Sequence, residues 1–287
     1  MHRRAPTLFV LSVGCMAALA CMAAAACASF TSDPAAVPAD ALAEGEGGGG
    51  DGDGDGDATS SPDAATPDAS PDGACKGGTD GRPVVRAAGV CMDVTEVTVG
   101  AYNAFVMADA SPTPDAGRCK DNAIAARNCG GPNGTNDPRD CVNWCDAFAY
   151  CEWAGKRLCG ATDGGALRGP DINNPAFDAW FRACAGEDGG RAYPYGVAYD
   201  GGTCQTSSGV ATDVGTHPQC RTPEGVLDLS GNLAEWIDSC TGDEPASDCF
   251  VHGGSFTDSD RARCDLKEKV ARLNSNQTVI GFRCCSD

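Results

Sequence analysis

The clearest hydrophobic pattern in the chain lies in residues 143–154. One face of this segment is apolar and consists of Trp144, Ala147, Phe148 and Cys151. Their i, i+3, i+4, i+7 spacing is typical of an amphipathic helix. Asn143 is a suitable N-cap, and Gly155 supplies the residue at which such a helix ends. The sequence therefore predicts a helix over 143–154 whose apolar face is buried.

Outside this helix the predicted elements are short. They are a strand over 90–99, a helix over 100–107, a helix over 174–185, a turn over 193–196, and strands within 225–236, 250–256 and 279–285. The strands are predicted from β-branched residues and short apolar runs, the helices from 3.6-residue spacing. Residues 109–140 and 197–222 lack periodicity and are predicted to be loops. Few long helices and many loops indicate an irregular α+β domain, low in regular secondary structure.

The first 27 residues have the layout of a secretory signal. Arg3 and Arg4 precede an almost wholly small or apolar stretch over 7–26. A basic start followed by an apolar core is the pattern of an export signal, although about 20 apolar residues are also long enough for a membrane helix. Cys15, Cys21 and Cys27 follow small residues, and the sequences before Cys21 and Cys27 resemble a bacterial lipobox. We therefore expect an exported protein, lipid-anchored or secreted, whose membrane contact is confined to the signal or lipid anchor.

Residues 28–74 form an acidic linker rich in Gly, Asp, Pro and Ala. The segment carries 11 acidic residues, no Lys or Arg, and Phe30 as its aromatic residue. Such a composition buries too little apolar surface to offset the entropy of ordering, so the linker is predicted to be a disordered spacer. The Asp-Gly repeat over 51–57 imitates the start of an EF-hand, but Pro62 stands where the twelfth position requires Glu. We do not expect this repeat to bind calcium.

The whole chain has 287 residues and a net charge of −19. The predicted domain over 75–287 retains 29 acidic and 19 basic residues, a net charge of −10. Phosphate contacts require clustered Lys and Arg, so nucleic acid is excluded as an expected partner. The domain is long enough to bury one substantial core.

Sixteen of the 19 Cys lie in the predicted domain. An even number of Cys in an exported chain predicts a disulfide framework. Zinc is the alternative, but no Cys-x-x-Cys pair occurs, and the domain offers only His217 and His252 as imidazole ligands. A disulfide framework is therefore favoured over a zinc site. Cys240 and Cys249, on either side of a short polar loop, are a reasonable pair.

The segment 225–236 combines a Gly-Asn turn with two acidic residues. Asp228 and Glu235 flank the turn, and the carbonyl of Gly231 can be exposed by it. Hard oxygen ligands that converge in this way are what calcium requires. A turn between two strands, with Trp236 in the core, is the alternative that spacing by itself favours.

Taken in order, six motifs resemble the formylglycine-generating, or sulfatase-modifying factor, family. They are Val-Thr-Glu-Val-Thr at 94–98, Val-Asn-Trp-Cys-Asp-Ala-Phe at 142–148 leading to Trp-Ala-Gly-Lys-Arg-Leu at 153–158, Tyr-Pro-Tyr-Gly at 193–196, Leu-Ser-Gly-Asn-Leu-Ala-Glu-Trp at 229–236, Gly-Gly-Ser-Phe at 253–256 and Gly-Phe-Arg-Cys at 281–284. One such motif is weak evidence, but six in the family's order are specific. The resemblance implies a compact, irregular fold related to the C-type lectins.

The resemblance also implies chemistry, which must be checked residue by residue. Enzymes of the family are copper-dependent oxidases that use two Cys shortly after the Gly-Gly-Ser motif. Those positions fall on Asp258 and Arg263, and Cys264 is one residue late. Since Cu(I) favours paired soft thiolates, copper is not expected. A non-haem iron site would have to use both His217 and His252, so iron is not expected either.

One family feature carries over to the segment 225–236. The resembling enzymes hold a structural calcium there, and the matching positions are the side chains of Asp228 and Glu235 and the carbonyls of Gly231 and Leu233. A structural calcium is therefore predicted. A second family site near 204–206 has Gln205 where Asn is usual, and is not assigned.

We therefore expect an exported, lipid-anchored, non-catalytic domain that binds a protein, peptide or glycan. The alternative is a metal-dependent oxidase or other modifying enzyme with altered ligands. Its candidate residues would be His217, His252, Asp258 and Cys264. A structural envelope protein without a specific ligand is a third reading.

Overall fold

The computed structural model describes residues 75–108, 117–120, 122–131 and 133–286. The predicted signal over 1–27 and the predicted linker over 28–74 lie outside these residues. No helix of the described part is long and apolar enough to cross a membrane.

Three α-helices occur in this part of the chain, each with a polar N-cap. Helix α1 spans Val99–Met107, α2 spans Trp144–Trp153 and α3 spans Ala179–Ala185. In α2 the Asn143 side chain accepts from the Asp146 N–H at 2.9 Å, and the Asp146 carboxylate accepts from the Asn143 N–H at 3.1 Å. This reciprocal capping box satisfies two N–H groups that a helix start leaves open.

The predictions of α1 and α2 are confirmed, but α3 is shorter than predicted. It begins after Asp178, whose carboxylate accepts from the Phe181 N–H at 2.9 Å and so caps the helix. The residues before this cap form a turn instead of a helix, closed by a backbone hydrogen bond of 2.8 Å from the Asp178 N–H to the Asn174 carbonyl.

The first sheet is antiparallel and has the strand order β1-β2-β8-β3. Its strands are β1 at Val84–Ala87, β2 at Val90–Asp93, β3 at Arg157–Leu158 and β8 at Cys284–Ser286. The strand predicted over 90–99 was therefore too long. It ends at Asp93 because Thr98 already caps α1, its side chain accepting from the Ala101 N–H at 3.2 Å.

The second sheet has the order β6-β5-β4-β7, with β7 parallel to β4 and the other pairs antiparallel. Its strands are β4 at Ala234–Cys240, β5 at Asp248–His252, β6 at Lys267–Ala271 and β7 at Ile280–Phe282. The strand predicted to start near Val226 was wrong in its first half. Leu227 makes only an isolated bridge with Arg221, and Asp228 turns the chain with a φ of +60°.

The core lies between α2 and the second sheet and extends beneath α3. Trp144, Trp180 and Trp236 are each at most 1% exposed. The indole N–H of Trp236 donates to the Val142 carbonyl at 3.0 Å, and that of Trp144 donates to the Ile237 carbonyl at 2.9 Å. Each Trp thus buries a large apolar surface while its polar atom is satisfied.

All sixteen Cys of the predicted domain are joined in pairs. The disulfides are Cys75–Cys91, Cys119–Cys145, Cys129–Cys141, Cys151–Cys284, Cys159–Cys285, Cys184–Cys264, Cys204–Cys220 and Cys240–Cys249. The disulfide framework and the Cys240–Cys249 pair are confirmed. The irregular α+β architecture, low in regular secondary structure, is confirmed as well.

Candidate functional site

The loop after β5 is shaped by two consecutive glycines. Gly253 and Gly254 have φ angles of +82° and +67°, in the left-handed region that glycine adopts without strain. A Cβ on Gly253 would lie 2.8 Å from the Leu229 carbonyl oxygen, and one on Gly254 would lie 2.9 Å from the Leu266 side chain. The loop therefore requires glycine at both positions, and it places Ser255 just beyond the end of β5.

Asp258 occupies the first position at which the resemblance places a copper-binding Cys. Its carboxylate accepts from the backbone N–H of Ser255 at 2.8 Å and from the Ser255 hydroxyl at 2.9 Å. The same hydroxyl lies 2.9 Å from that of Thr257. Asp258 thus closes a tight hydrogen-bonded loop, and a carboxylate stands where the enzymes have sulfur.

The second position, Arg263, lies at the surface and pairs with Asp265 at 2.7 Å. That pair holds the pKa of the Asp265 carboxyl below its ordinary value. Cys264, the only Cys close by in sequence, is bonded to Cys184. Cys264 therefore has no free thiol for the alternative enzyme hypothesis, because a sulfur in a disulfide is neither a nucleophile nor a thiolate ligand.

His252 is completely buried and has a partner at each ring nitrogen. Its Nε2 lies 3.0 Å from Asp178 Oδ2, its Nδ1 lies 3.1 Å from the Leu266 carbonyl, and its ring stacks on Trp180 with centroids 4.9 Å apart. His217 is half-buried, and its Nδ1 lies 3.5 Å from the Thr216 hydroxyl. Within the described ranges, no three His, Cys, Asp or Glu side chains form a group that could hold a metal ion.

A pocket of about 270 Å³ opens beside Ser255 and Asp258. It is lined by Ala234, Val251, Gly254, Ser255, Thr257, Asp258, Leu266, Glu268, Val270, Gln277, Val279 and Ile280. Paired residues of neighbouring strands share a face of the sheet, and the pairs here include Val251 with Glu268 and Ala234 with Ile280. The floor of the pocket is thus one face of the second sheet, and its rim is the loop that Ser255 and Asp258 close.

The turn within 225–236 contacts the loop after β5, because the Gly231 N–H donates to the Gly253 carbonyl at 3.3 Å. Gly231 has a φ of +77°, and a Cβ there would clash with the Gln205 carbonyl. Asn232 donates its N–H to the same carbonyl at 2.7 Å, and its side-chain oxygen accepts from the Thr212 N–H at 3.0 Å. The Gln205 amide donates to the Val210 carbonyl at 2.8 Å. The two segments that the resemblance links to calcium therefore pack directly against each other.

Three buried carboxylates surround this turn. Glu235 accepts from Arg283 on both oxygens, at 2.7 Å each, and from the Trp180 indole at 2.7 Å. Asp228 accepts from the Gly215 N–H at 2.6 Å. Glu96 lies near the Leu233 N–H, at 3.5 Å, and its Oε2 is buried without a hydrogen-bond partner.

Burial is the main cause of a raised pKa at two of these carboxyl groups, Asp228 and Glu96. Burial raises the pKa of Asp228 to about 6, against an ordinary value of 3.8, although the Gly215 N–H opposes the shift. Burial, followed by the charge of Asp228, raises the pKa of Glu96 well above its ordinary value. The three carboxylates have one guanidinium beside them, and burial favours the protonated, neutral forms of Glu96 and Asp228 over their charged forms.

The turn presents carboxylate oxygens that are open to a divalent cation, although they do not include those of Glu235. Asp228 and Glu96 each have an oxygen without a hydrogen-bond donor, and the carbonyls of Gly231 and Leu233 belong to the same turn. Glu235, in contrast, is already held by Arg283. Calcium at Asp228, Gly231, Leu233 and Glu235 stays a prediction, and we propose Glu96 in place of Glu235 as its second carboxylate.

These features define a disulfide-stabilised, loop-rich α+β domain with a buried acidic turn and a pocket at the Gly-Gly-Ser loop. A model of the sulfatase-modifying factor enzyme 1-like domain family matches residues 71–287. The chain belongs to this family.

Two curated relatives and one solved structure are similar to this chain. An inactive C-alpha-formylglycine-generating enzyme 2 from Bos taurus is 25% identical over 163 residues, which cover 50% of this chain and 48% of that protein. The formylglycine-generating enzyme of Mus musculus is 26% identical over 183 residues, covering 53% of this chain and 45% of that one. The structure of PvdO from Pseudomonas aeruginosa has a TM-score of 0.48 and 20% identity, over 69% of this chain and 80% of that chain. The chain therefore spans about half the length of the curated relatives it matches.

Sequence reasoning assigned no role to several residues that build the site. They are Glu96, Trp180, Glu268 and Arg283. Glu96 and Arg283 stand inside two of the quoted motifs, so a signal for their importance existed. Their partners are distant in sequence, however, and the fold is needed to bring them together.

Proposed function

We propose that this chain is an exported, lipid-anchored member of the family that binds a ligand and does not oxidise one. The Cys184–Cys264 disulfide carries the proposal, because it engages Cys264, the Cys that lies one residue after the second position of the copper-binding pair. Asp258 and Arg263, which occupy those positions, offer oxygen and a cation in place of two soft thiolates.

The pocket beside Ser255 supports a binding role. Its volume of about 270 Å³ and its mixed apolar and polar lining are close to those of small-molecule sites. Relatives from Bos taurus and Mus musculus are described as inactive, so loss of the oxidase reaction within the family has parallels. On this view the scaffold and its pocket are retained while the reaction is lost.

The predicted leader and the disulfides support the location. Eight disulfides are stable in oxidising compartments outside the cytoplasm. Lipidation of Cys21 or Cys27 would anchor the chain, and the acidic linker would hold the domain away from the membrane surface. Detergent phase partitioning of the expressed full chain tests the anchor. We expect the parent chain to enter the detergent phase, and we expect Cys21→Ala or Cys27→Ala, whichever removes the lipidated residue, to return it to the aqueous phase. A parent chain that stays in the aqueous phase would rule it out.

The catalytic part of the proposal is tested with copper(I) and a Cys-containing peptide. We expect the purified full chain neither to compete with a copper(I) chelator nor to oxidise the peptide, as followed by mass spectrometry and oxygen uptake. The matched variant carries Asp258→Cys and Arg263→Cys together, which places sulfur at both positions, and we expect it to gain copper(I) binding. Peptide oxidation by the parent chain would overturn the proposal.

A further inference from the structure

The pocket beside Ser255 has an aliphatic floor and an acidic rim. Ala234, Val251, Val270 and Ile280 come from one face of the second sheet, and Leu266 adds a side wall. Of the described residues that line the pocket, only Asp258 and Glu268 are ionisable, and both are acids. The lining is therefore suited to a ligand that is apolar along its length and positively charged at one end.

The two carboxylates stand close enough to share one cation. The Nη2 atom of Arg261 lies 3.7 Å from Asp258 Oδ1 and 3.5 Å from Glu268 Oε1. Arg261 comes from the short 3₁₀ turn Ser259–Arg261, whereas Glu268 lies on β6, so the guanidinium spans the rim from one element to the other. The chain thus places a cation of its own between these two acids.

Arg261 is loosely held in this position. Its side chain is 66% exposed, that of Glu268 is 56% exposed, and neither distance is that of a hydrogen bond. Ion pairs in such exposed settings contribute little, because water and salt screen them. A competing cation that also buries an aliphatic chain on the floor gains apolar contact that Arg261, at the rim, does not make.

We propose that this pocket binds an ammonium or guanidinium group carried on a short aliphatic chain, and that Arg261 occupies the acidic rim until such a ligand displaces it. The inference rests on the proposed binding function and names its ligand chemistry. The alkyl chain packs on Val251, Val270 and Leu266, and the cationic end lies between Asp258 and Glu268. The net charge of −10 on residues 75–287 favours the approach of cations in general.

Pentylguanidinium is the direct probe, pentanol is its neutral counterpart, and acetyl-Gly-Arg-Gly-amide presents the same group on a peptide. Binding is followed on the full chain by amide chemical shifts near Ser255 and Val251 and by calorimetry. We expect pentylguanidinium to bind in a salt-sensitive manner and pentanol to bind at least about tenfold more weakly. If the peptide binds as well, the natural ligand is a side chain of a polypeptide. If pentylguanidinium binds and the peptide does not, the natural ligand is a small molecule.

Two variants and a matched control separate the contributions of Glu268 and Arg261 to binding. Glu268→Gln should weaken pentylguanidinium binding about fivefold, as removal of one partly exposed charge pair predicts. Arg261→Ala should strengthen it by a similar factor, because the internal competitor is gone. The matched control is Glu187→Gln, which removes a charge from a side chain that is 68% exposed and lines no part of the pocket, and it should leave the affinity unchanged.

Equal binding of pentylguanidinium and pentanol, or no binding of the cation by the parent and by Arg261→Ala, would overturn the inference. Either result would leave the proposed non-catalytic role standing. Oxidation of the Cys-containing peptide would, in turn, overturn that role and leave the cation site standing.

Discussion

Arg283 and Glu235 form a buried, two-pronged ion pair behind the acidic turn. Guanidinium Nη2 lies 2.7 Å from Glu235 Oε1, and Nε lies 2.7 Å from Oε2, with both side chains at most 1% exposed. The same guanidinium donates to the carbonyls of Asp93, Val94 and Leu227 at 2.9–3.2 Å. One side chain thus joins the end of β2, the turn and the start of β4.

Replacement of Arg283 should be among the most damaging single changes in the domain. Arg283→Met would leave the Glu235 carboxylate buried and largely unpaired, which typically costs about 3–5 kcal/mol in the free energy of unfolding. The double variant with Glu235→Gln should lose less than the sum of the two single variants, because it leaves no buried charge unpaired. Urea denaturation of the four proteins measures this coupling. Strictly additive losses would show that the two residues act independently.

Calcium should stabilise the domain through Asp228 and Glu96. A ligand at 100 times its dissociation constant adds about 2.7 kcal/mol, which for a domain of this size raises the melting temperature by roughly 5–10 °C. We expect a chelator to lower the melting temperature by that amount. Asp228→Asn combined with Glu96→Gln should abolish the chelator effect, whereas Glu187→Gln should preserve it.

Glu235 is a poor choice for this calcium test. Its substitution would leave Arg283 without its partner and destabilise the domain whether or not calcium binds. A melting temperature that is indifferent to the chelator in the parent protein would remove calcium from the turn altogether.

Features that depend on neighbouring residues could be predicted from the sequence. Asn143 caps α2 because Asp146 is three residues away, and Trp144 and Cys151 share a face because a helix repeats every 3.6 residues. The Cys240–Cys249 pair follows from a short loop between two paired strands. In each case the determining partner lies within about ten residues.

Features that depend on distant partners could not be predicted. Glu96 acquires its raised pKa from burial and from Asp228, more than a hundred residues away. Strand β6 has the sequence Lys-Glu-Lys-Val-Ala and is mostly exposed, so it lacks the apolar alternation that marks a strand. It forms because β5 offers an open edge, to which five of its residues pair.

Removal of the Cys184–Cys264 disulfide should cost stability without creating an oxidase. The bond closes a loop of 80 residues, and loss of a native disulfide typically costs about 2–4 kcal/mol. Cys184→Ser frees the thiol of Cys264, and Cys264→Ser frees the thiol of Cys184. Because both variants lose the same bond, they should be similarly destabilised in urea. Neither should oxidise a Cys peptide in the presence of copper(I), since only one sulfur is available. Activity in the Cys184→Ser variant would show that Cys264 is a latent catalytic residue.

Asp238 should make the stability of the domain fall as the pH rises from about 4 to about 6. Burial raises its pKa to about 6 from an ordinary 3.8, an effect that Arg118, 3.7 Å away, only partly opposes. Between these values the folded chain keeps a proton that the unfolded chain has lost, so a rise in pH favours unfolding. Over the whole range the free energy of unfolding falls by about 3 kcal/mol. Above pH 7 both states are ionised and the contribution is constant.

The Asp238→Asn variant keeps the shape of the side chain and removes its ionisation. We expect it to match the parent near pH 4 and to exceed the parent in stability at pH 7, where the parent carries a buried charge. Urea denaturation across this range measures the difference between the two profiles, which isolates Asp238 from the other buried acids. If stability varied with pH in the same way in both proteins, the pKa of Asp238 in the folded protein would lie close to its ordinary value. The Arg118 guanidinium would then compensate the carboxylate more fully than a distance of 3.7 Å suggests.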